Sequence, residues 1–156
     1  MGASPQSTRA LLEEASEFTP ANRALDGLTA EQALMKPAGS PFSVAEIVSH
    51  MVFWQRHVLA TIKGEATEDI SSAATGWTVM ATEDWPRLKN EFLANLEQCR
   101  YLAQNAVELE RVPSGNRTVG YRLLSHAGHN AYHIGQIVLL RRILGFWPPP
   151  GGGDTW

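Results

Sequence analysis

Apolar residues recur every three or four positions through most of this chain, a period that predicts helices. From about Ser7 to Glu17 the spacing is carried by Leu11, Leu12, Ala15 and Phe18, until Pro20 ends or kinks the segment, which continues or restarts toward Leu25. Thr29-Ala-Glu-Gln32 has the form of a capping box and opens a short helical turn, broken by Lys36-Pro37-Ala-Gly-Ser-Pro41. Ser43-Val-Ala-Glu46 is a second capping box, so a long helix is expected from Val44 to about Ile62, closed by Lys63-Gly64. At 100° per residue Ile47, His50, Trp54, His57 and Thr61 share an arc of about 80° on that helix.

The segment from Glu65 to Ala81 keeps no period and is rich in Ser, Thr and Ala, with Trp77 and Met80 as isolated large apolar groups; it reads as a long loop placed to act as a lid. Thr82 is expected to cap a third helix reaching about Ala106, with Pro86 in its first turn and Trp85, Leu88, Phe92, Leu96, Cys99 and Ala103 on one stripe. After Pro113-Ser-Gly115, Thr118 caps a fourth helix from Val119 to Leu144 that Gly145 stops. The Pro/Gly-rich stretch 145–156 is an arm, pinned by Trp147. No period-two run reads as a strand, so the expected fold class is all-α, a four-helix bundle in a single domain over 1–156. Gly120, Gly128 and Gly135 each cost the fourth helix about 1 kcal/mol relative to Ala, which predicts tight packing there and a dimer seam, hence a homodimer.

Composition narrows the functional classes. With 156 residues, 44% of them apolar, the chain can bury one core. Thirteen Lys+Arg against 16 Asp+Glu leave a net charge of -3, which speaks against a general nucleic-acid binder. The longest apolar runs, such as Met51 to Trp54, fall far short of the roughly 20 residues a bilayer span needs, so no membrane is expected as partner. No basic start followed by an apolar run opens the chain, which predicts a cytoplasmic address. Cys99 is a single cysteine and sits on the apolar stripe, where it reads as a small buried hydrophobe.

The chemistry is carried by histidine. All five, at positions 50, 57, 126, 129 and 133, fall on two of the expected helices. His129 and His133 are one turn apart, a spacing at which two imidazoles can ligate one ion, and His50 is the best third ligand because Ile47 and Trp54 flank it on an inward face. Three neutral imidazoles suit Zn, Ni, Fe or similar divalent ions and leave positions for water, substrate or a cosubstrate thiolate. The residues between His129 and His133 are Asn130, Ala131 and Tyr132, so the carboxylate of a zinc-protease motif is missing. His126, Gln136, His57 and Trp54 are candidates for supporting the ligands or lining a pocket; no catalytic acid or base can be named.

Two stretches together resemble the DinB/YfiT-like superfamily: Phe42-Ser-Val-Ala-Glu-Ile-Val-Ser-His50, and His126-x-x-His129-x-x-x-His133-x-Gly135-Gln136. The ending Leu144-Gly145, Pro148-Pro149-Pro150 and Asp154 is also similar to that family's. The resemblance implies an up-down-down-up bundle with His50, His129 and His133 as metal ligands, holding nickel, zinc or a similar ion, and with His126 outside the ligand set. It further implies a metal-dependent enzyme on a small-molecule substrate, either an S-transferase using a low-molecular-weight thiol cosubstrate such as bacillithiol, mycothiol or glutathione, or a hydrolase. The chain departs from the family at Phe42, where Trp is usual, and at Ile134, where Arg is common. Rival readings are a non-catalytic metal-binding, stress-associated protein and a helical dimerisation module.

Overall fold

The computed structural model describes residues 19–67, 70, 72, 75–78 and 80–152. The expected helix from Ser7 to Glu17 lies outside these, as do parts of the 65–81 loop and the last four residues of the arm. The described residues form helices α1 (Ala21–Leu25), α2 (Ala30–Leu34), α3 (Val44–Lys63), α4 (Trp85–Ala103), α5 (Ala106–Glu110) and α6 (Val119–Ile143), and no strand. The all-helical expectation holds. No described helix is long and apolar enough to cross a membrane.

Both capping boxes form. Thr29 accepts from Gln32 N–H at 3.2 Å while the Gln32 side chain takes Thr29 N–H at 3.1 Å. At the head of α3 the Ser43 hydroxyl accepts from Glu46 N–H at 3.2 Å and the Glu46 carboxylate accepts from Ser43 N–H at 2.7 Å. Lys36 adds an ion pair to that carboxylate at 2.8 Å. Gly64, at φ +77°, closes α3 in the left-handed conformation that a side chain would oppose.

Two boundaries differ from expectation. Thr82 does not cap α4: Thr82–Asp84 form a 3₁₀ turn, in which Asp84 Oδ2 accepts from Ala81 N–H at 3.2 Å, and α4 starts at Trp85. The same helix ends at Ala103 because Asn105 caps a new one, its Oδ1 accepting from Val107 and Glu108 N–H. The short α5 lies across the first turns of α6, and only Gly120 allows this, since a Cβ there would meet the Leu109 carbonyl oxygen at 3.1 Å. Gly128 and Gly135 are exposed and have no described neighbour within 4 Å of such a Cβ, so the tight packing read for all three glycines holds for one.

The stripe of α4 is buried as expected, and α3 packs chiefly against α4 and α6. Val44, Val48, Met51, Phe92, Cys99, Val119 and Leu123 are fully enclosed where these three helices meet. No covalent staple contributes; Cys99 is a free buried thiol. The arm folds back on α1, with Pro150 against Gly27 and the Gly152 carbonyl accepting from Arg23. Arg141 of α6, 2% exposed, ties these parts together by donating to the carbonyls of Ala24 (2.7 Å), Asp26 (2.8 Å) and Phe146 (3.1 Å), with its guanidinium over the Trp147 ring.

Candidate metal centre

The interface of α3 with α6 carries the histidines. The capping box fixes the start of α3, and His50, two turns further on, projects into the protein with 3% of its surface exposed. Its Nδ1–H donates to the Thr75 carbonyl at 3.0 Å, which leaves Nε2 with a free lone pair. One face of the ring stacks on Trp77, with centroids 4.1 Å apart, and Trp77 stacks in turn on Phe42 at 3.6 Å. The family's Trp-to-Phe difference at position 42 is therefore a packing change, but one that backs a ring in contact with His50. Gly76 is required between Thr75 and Trp77: its φ is +95°, and a Cβ would lie 2.5 Å from the Phe53 ring.

On α6, His129 and His133 are one turn apart and point at His50. His129 Nε2 lies 3.3 Å from His50 Nε2 and 3.1 Å from His133 Nε2. His133 Nδ1–H donates to Gln136 Oε1 at 2.7 Å, so its Nε2 also presents a lone pair. All three imidazoles offer ligand atoms within 4.8 Å of one another. The arrangement asks for a cation. His129 Nε2 faces two acceptor nitrogens, and one proton on it could satisfy only one of them. Nitrogens bound at about 2.0–2.1 Å to a tetrahedral ion stand about 3.3 Å apart, which is the spacing seen.

Electrostatics keep the imidazoles neutral, the form that ligates. Burial pushes His129 down to about 3, helped by the neighbouring His133, His126 and His50, with the Asn130 side chain acting the other way. Burial likewise lowers His50, aided by His133, and lowers His133, where the Gln136 hydrogen bond opposes it.

The supporting candidates separate. Gln136 orients His133. His126 is buried, accepts from Asn130 Nδ2 at 3.2 Å, and stacks beside His129 with centroids 5.9 Å apart; burial pushes it down to about 4. Trp54 sits edge-on to both His50 and His129, each at 6.3 Å, and to His57 at 5.6 Å. His57 does not join the cluster but lines, with Trp54, His126 and His129, a cleft of about 340 Å³. Ile134, at the second departure from the family, is a core residue. Burial raises the Cys99 thiol to about 12, so it supplies no thiolate.

Sequence reasoning missed Thr75, because a backbone carbonyl leaves no residue-type signal. It also left Trp77 without a partner; the usable hint was a Gly-Trp pair inside an otherwise small, polar loop. Thr75 and Trp77 of that loop lie on His50.

An all-helical protein with three imidazoles converging from two helices is the class that fold and site define. The family model of the DinB superfamily matches residues 19–137, and the chain belongs to that superfamily. No curated protein and no solved structure matches it.

Proposed function

We propose that this protein is a divalent-metal-dependent enzyme whose ion is held by His50, His129 and His133, acting on a small-molecule substrate as a thiol S-transferase or a hydrolase. The observation that carries the reading is the convergence of three imidazoles with ligand atoms within 4.8 Å of one another, His129 Nε2 lying 3.3 and 3.1 Å from the Nε2 atoms of His50 and His133, both left with lone pairs by bonds at Nδ1. Nickel or zinc suits this donor set, and such an ion supplies Lewis acidity that favours the deprotonated form of a water or thiol. The chain's own residues position and shield. Thr75 and Gln136 fix two tautomers, Trp77 backed by Phe42 covers one side of His50, and the cleft beside His129 gives access from the other. Because Cys99 is buried and protonated, a transferred thiol has to come from a low-molecular-weight cosubstrate.

Purified protein reconstituted with Zn or Ni should carry close to one ion per chain by elemental analysis, and His129→Ala should lose most of it. A wild type that stays metal-free with Ni, Zn, Fe and Mn ends the proposal. A panel of low-molecular-weight thiols then separates the enzyme from a non-catalytic metal-binding protein, through a metal-dependent rate of thiol consumption.

The architecture that accompanies this reading is one cytoplasmic domain folded as an up-down-down-up four-helix bundle and paired as a homodimer. The exposed stripe of α6 formed by Gly128, Tyr132, Gly135, Leu139 and Ile143 supports the pairing, since two open glycines let another backbone approach and the larger residues are apolar. Sedimentation equilibrium should give twice the chain mass for wild type and the single mass for Leu139→Glu; a monomeric wild type removes the dimer.

A further inference from the structure

The cleft next to His129 has a one-sided chemistry. Its lining includes Trp54, His57, Val58, Arg117, Arg122 and His129 and no carboxylate. Four other arginines each pair with an acid: Arg56 with Glu91, Arg87 with Asp84, Arg100 with Glu97 and Arg111 with Glu108. Arg117 and Arg122 pair with none among the described residues. Arg117 donates to the Tyr121 hydroxyl at 2.5 Å and lies over that ring. Arg122 spends one terminal nitrogen on Ser114, at 2.8 Å to the carbonyl and 3.3 Å to the hydroxyl, while its Nε is buried without a partner. Trp54 Nε1 is a second buried donor without one. The positive field reaches into the cleft, for Arg122 adds to burial in lowering His57.

We infer that this cleft binds a small organic oxyanion, a carboxylate or a phosphate monoester, whose charged end is taken by Arg122 and Arg117 and whose apolar body lies against Trp54 and Val58. Unpaired guanidiniums with planar donor forks match such groups, and 340 Å³ is the size of a small-molecule site. Arg122 precedes His129 by seven residues, a helix rise of about 10 Å, so an anion held there directs the rest of the molecule toward the three imidazoles. This deepens the metal-enzyme reading by naming its substrate class, and rests on that reading only for what happens at the far end.

Ligand-detected NMR titrations test it with benzoate, phenyl phosphate and the neutral benzamide, each against chelator-stripped and zinc-reconstituted protein. Benzoate or phenyl phosphate should bind both preparations at least tenfold more tightly than benzamide, and the tighter of the two identifies the oxyanion. Arg122→Gln should weaken that binding at least tenfold, Arg117→Gln by a smaller factor, and Arg87→Gln, remote from the cleft, not at all. Should Arg122→Gln lose its cooperative melt, the Arg117 variant decides, since its side chain is exposed. Equal binding of benzamide and benzoate, or anion binding indifferent to both arginines, overturns the inference, as does binding seen only with zinc present. A protein that takes no metal yet binds the anion through Arg122 keeps this site and loses the metal centre; the reverse pattern keeps the centre and loses this site.

Discussion

His126 shows how a single ionisable residue couples pH to stability here. Enclosed by the core and hydrogen-bonded as an acceptor, it stays neutral in the folded chain down to about 4, whereas unfolded it takes a proton near the ordinary value of about 6.5. A depressed histidine works against the fold as pH falls: nothing is lost above 6.5, and below it the unfolded chain gains protons that the native state refuses. Metal-free protein should therefore lose about 1.4 kcal/mol per pH unit for each such histidine between roughly 6.5 and 4. His129 adds to the slope, since it is lowered to about 3. Urea denaturation across that range should show the fall, and His126→Gln, which keeps an acceptor for Asn130, should flatten it by about one proton. At this scale much of the candidate site was legible. Helical spacing alone puts His126, His129, His133 and Gln136 on one face of α6, and the capping box at Ser43 sets which face of α3 His50 occupies. What spacing could not reveal was the pair of Nδ1 partners, one a neighbour on the helix and the other a loop carbonyl 25 residues away.

Between elements, the joint most dependent on one side chain is the one around Arg141. Its guanidinium reaches carbonyls at the C-terminal end of α1 and at Phe146 near the start of the arm, groups that no helix would otherwise satisfy. Burial lowers the pKa of this cation, with Asp26 opposing, so the carbonyls and the Trp147 ring substitute for water. Arg141→Met should cost about 2–4 kcal/mol in urea denaturation, because buried carbonyls lose their donor. Arg141→Lys should recover only part of this, having no fork to span Ala24 and Asp26. Sequence patterns read the element boundaries well where a side chain caps its own helix, as at Thr29, Ser43 and Thr118. They failed at residues 103–110, where the apolar stripe continues smoothly and only the Asn105 cap, visible as a bond, divides α4 from α5. Within one chain they could not separate Gly120 from Gly128 and Gly135, since a glycine that admits a neighbour and one that faces open space have the same letter.

For the whole molecule, a ligand that joins α3 to α6 has to stabilise the entire fold, because these two helices enclose much of the core and no disulfide holds them. Zinc at a free concentration 100 times its dissociation constant should add about 2.7 kcal/mol by mass action, visible as a rise in the melting midpoint; His133→Ala should abolish the rise. The sequence by itself determined the helical class, most helix starts, the enclosed α4 stripe and the facing of each histidine, because those follow from short-range periodicity and capping, which act within a few residues. Only the tertiary structure decided that His50 meets a pair 79 residues away at ligand spacing, that Trp77 and Thr75 close over it, and that two arginines share a cleft without an acid. Those outcomes depend on how helices dock and where a loop returns, and docking is set by the summed packing of many side chains rather than by any local pattern.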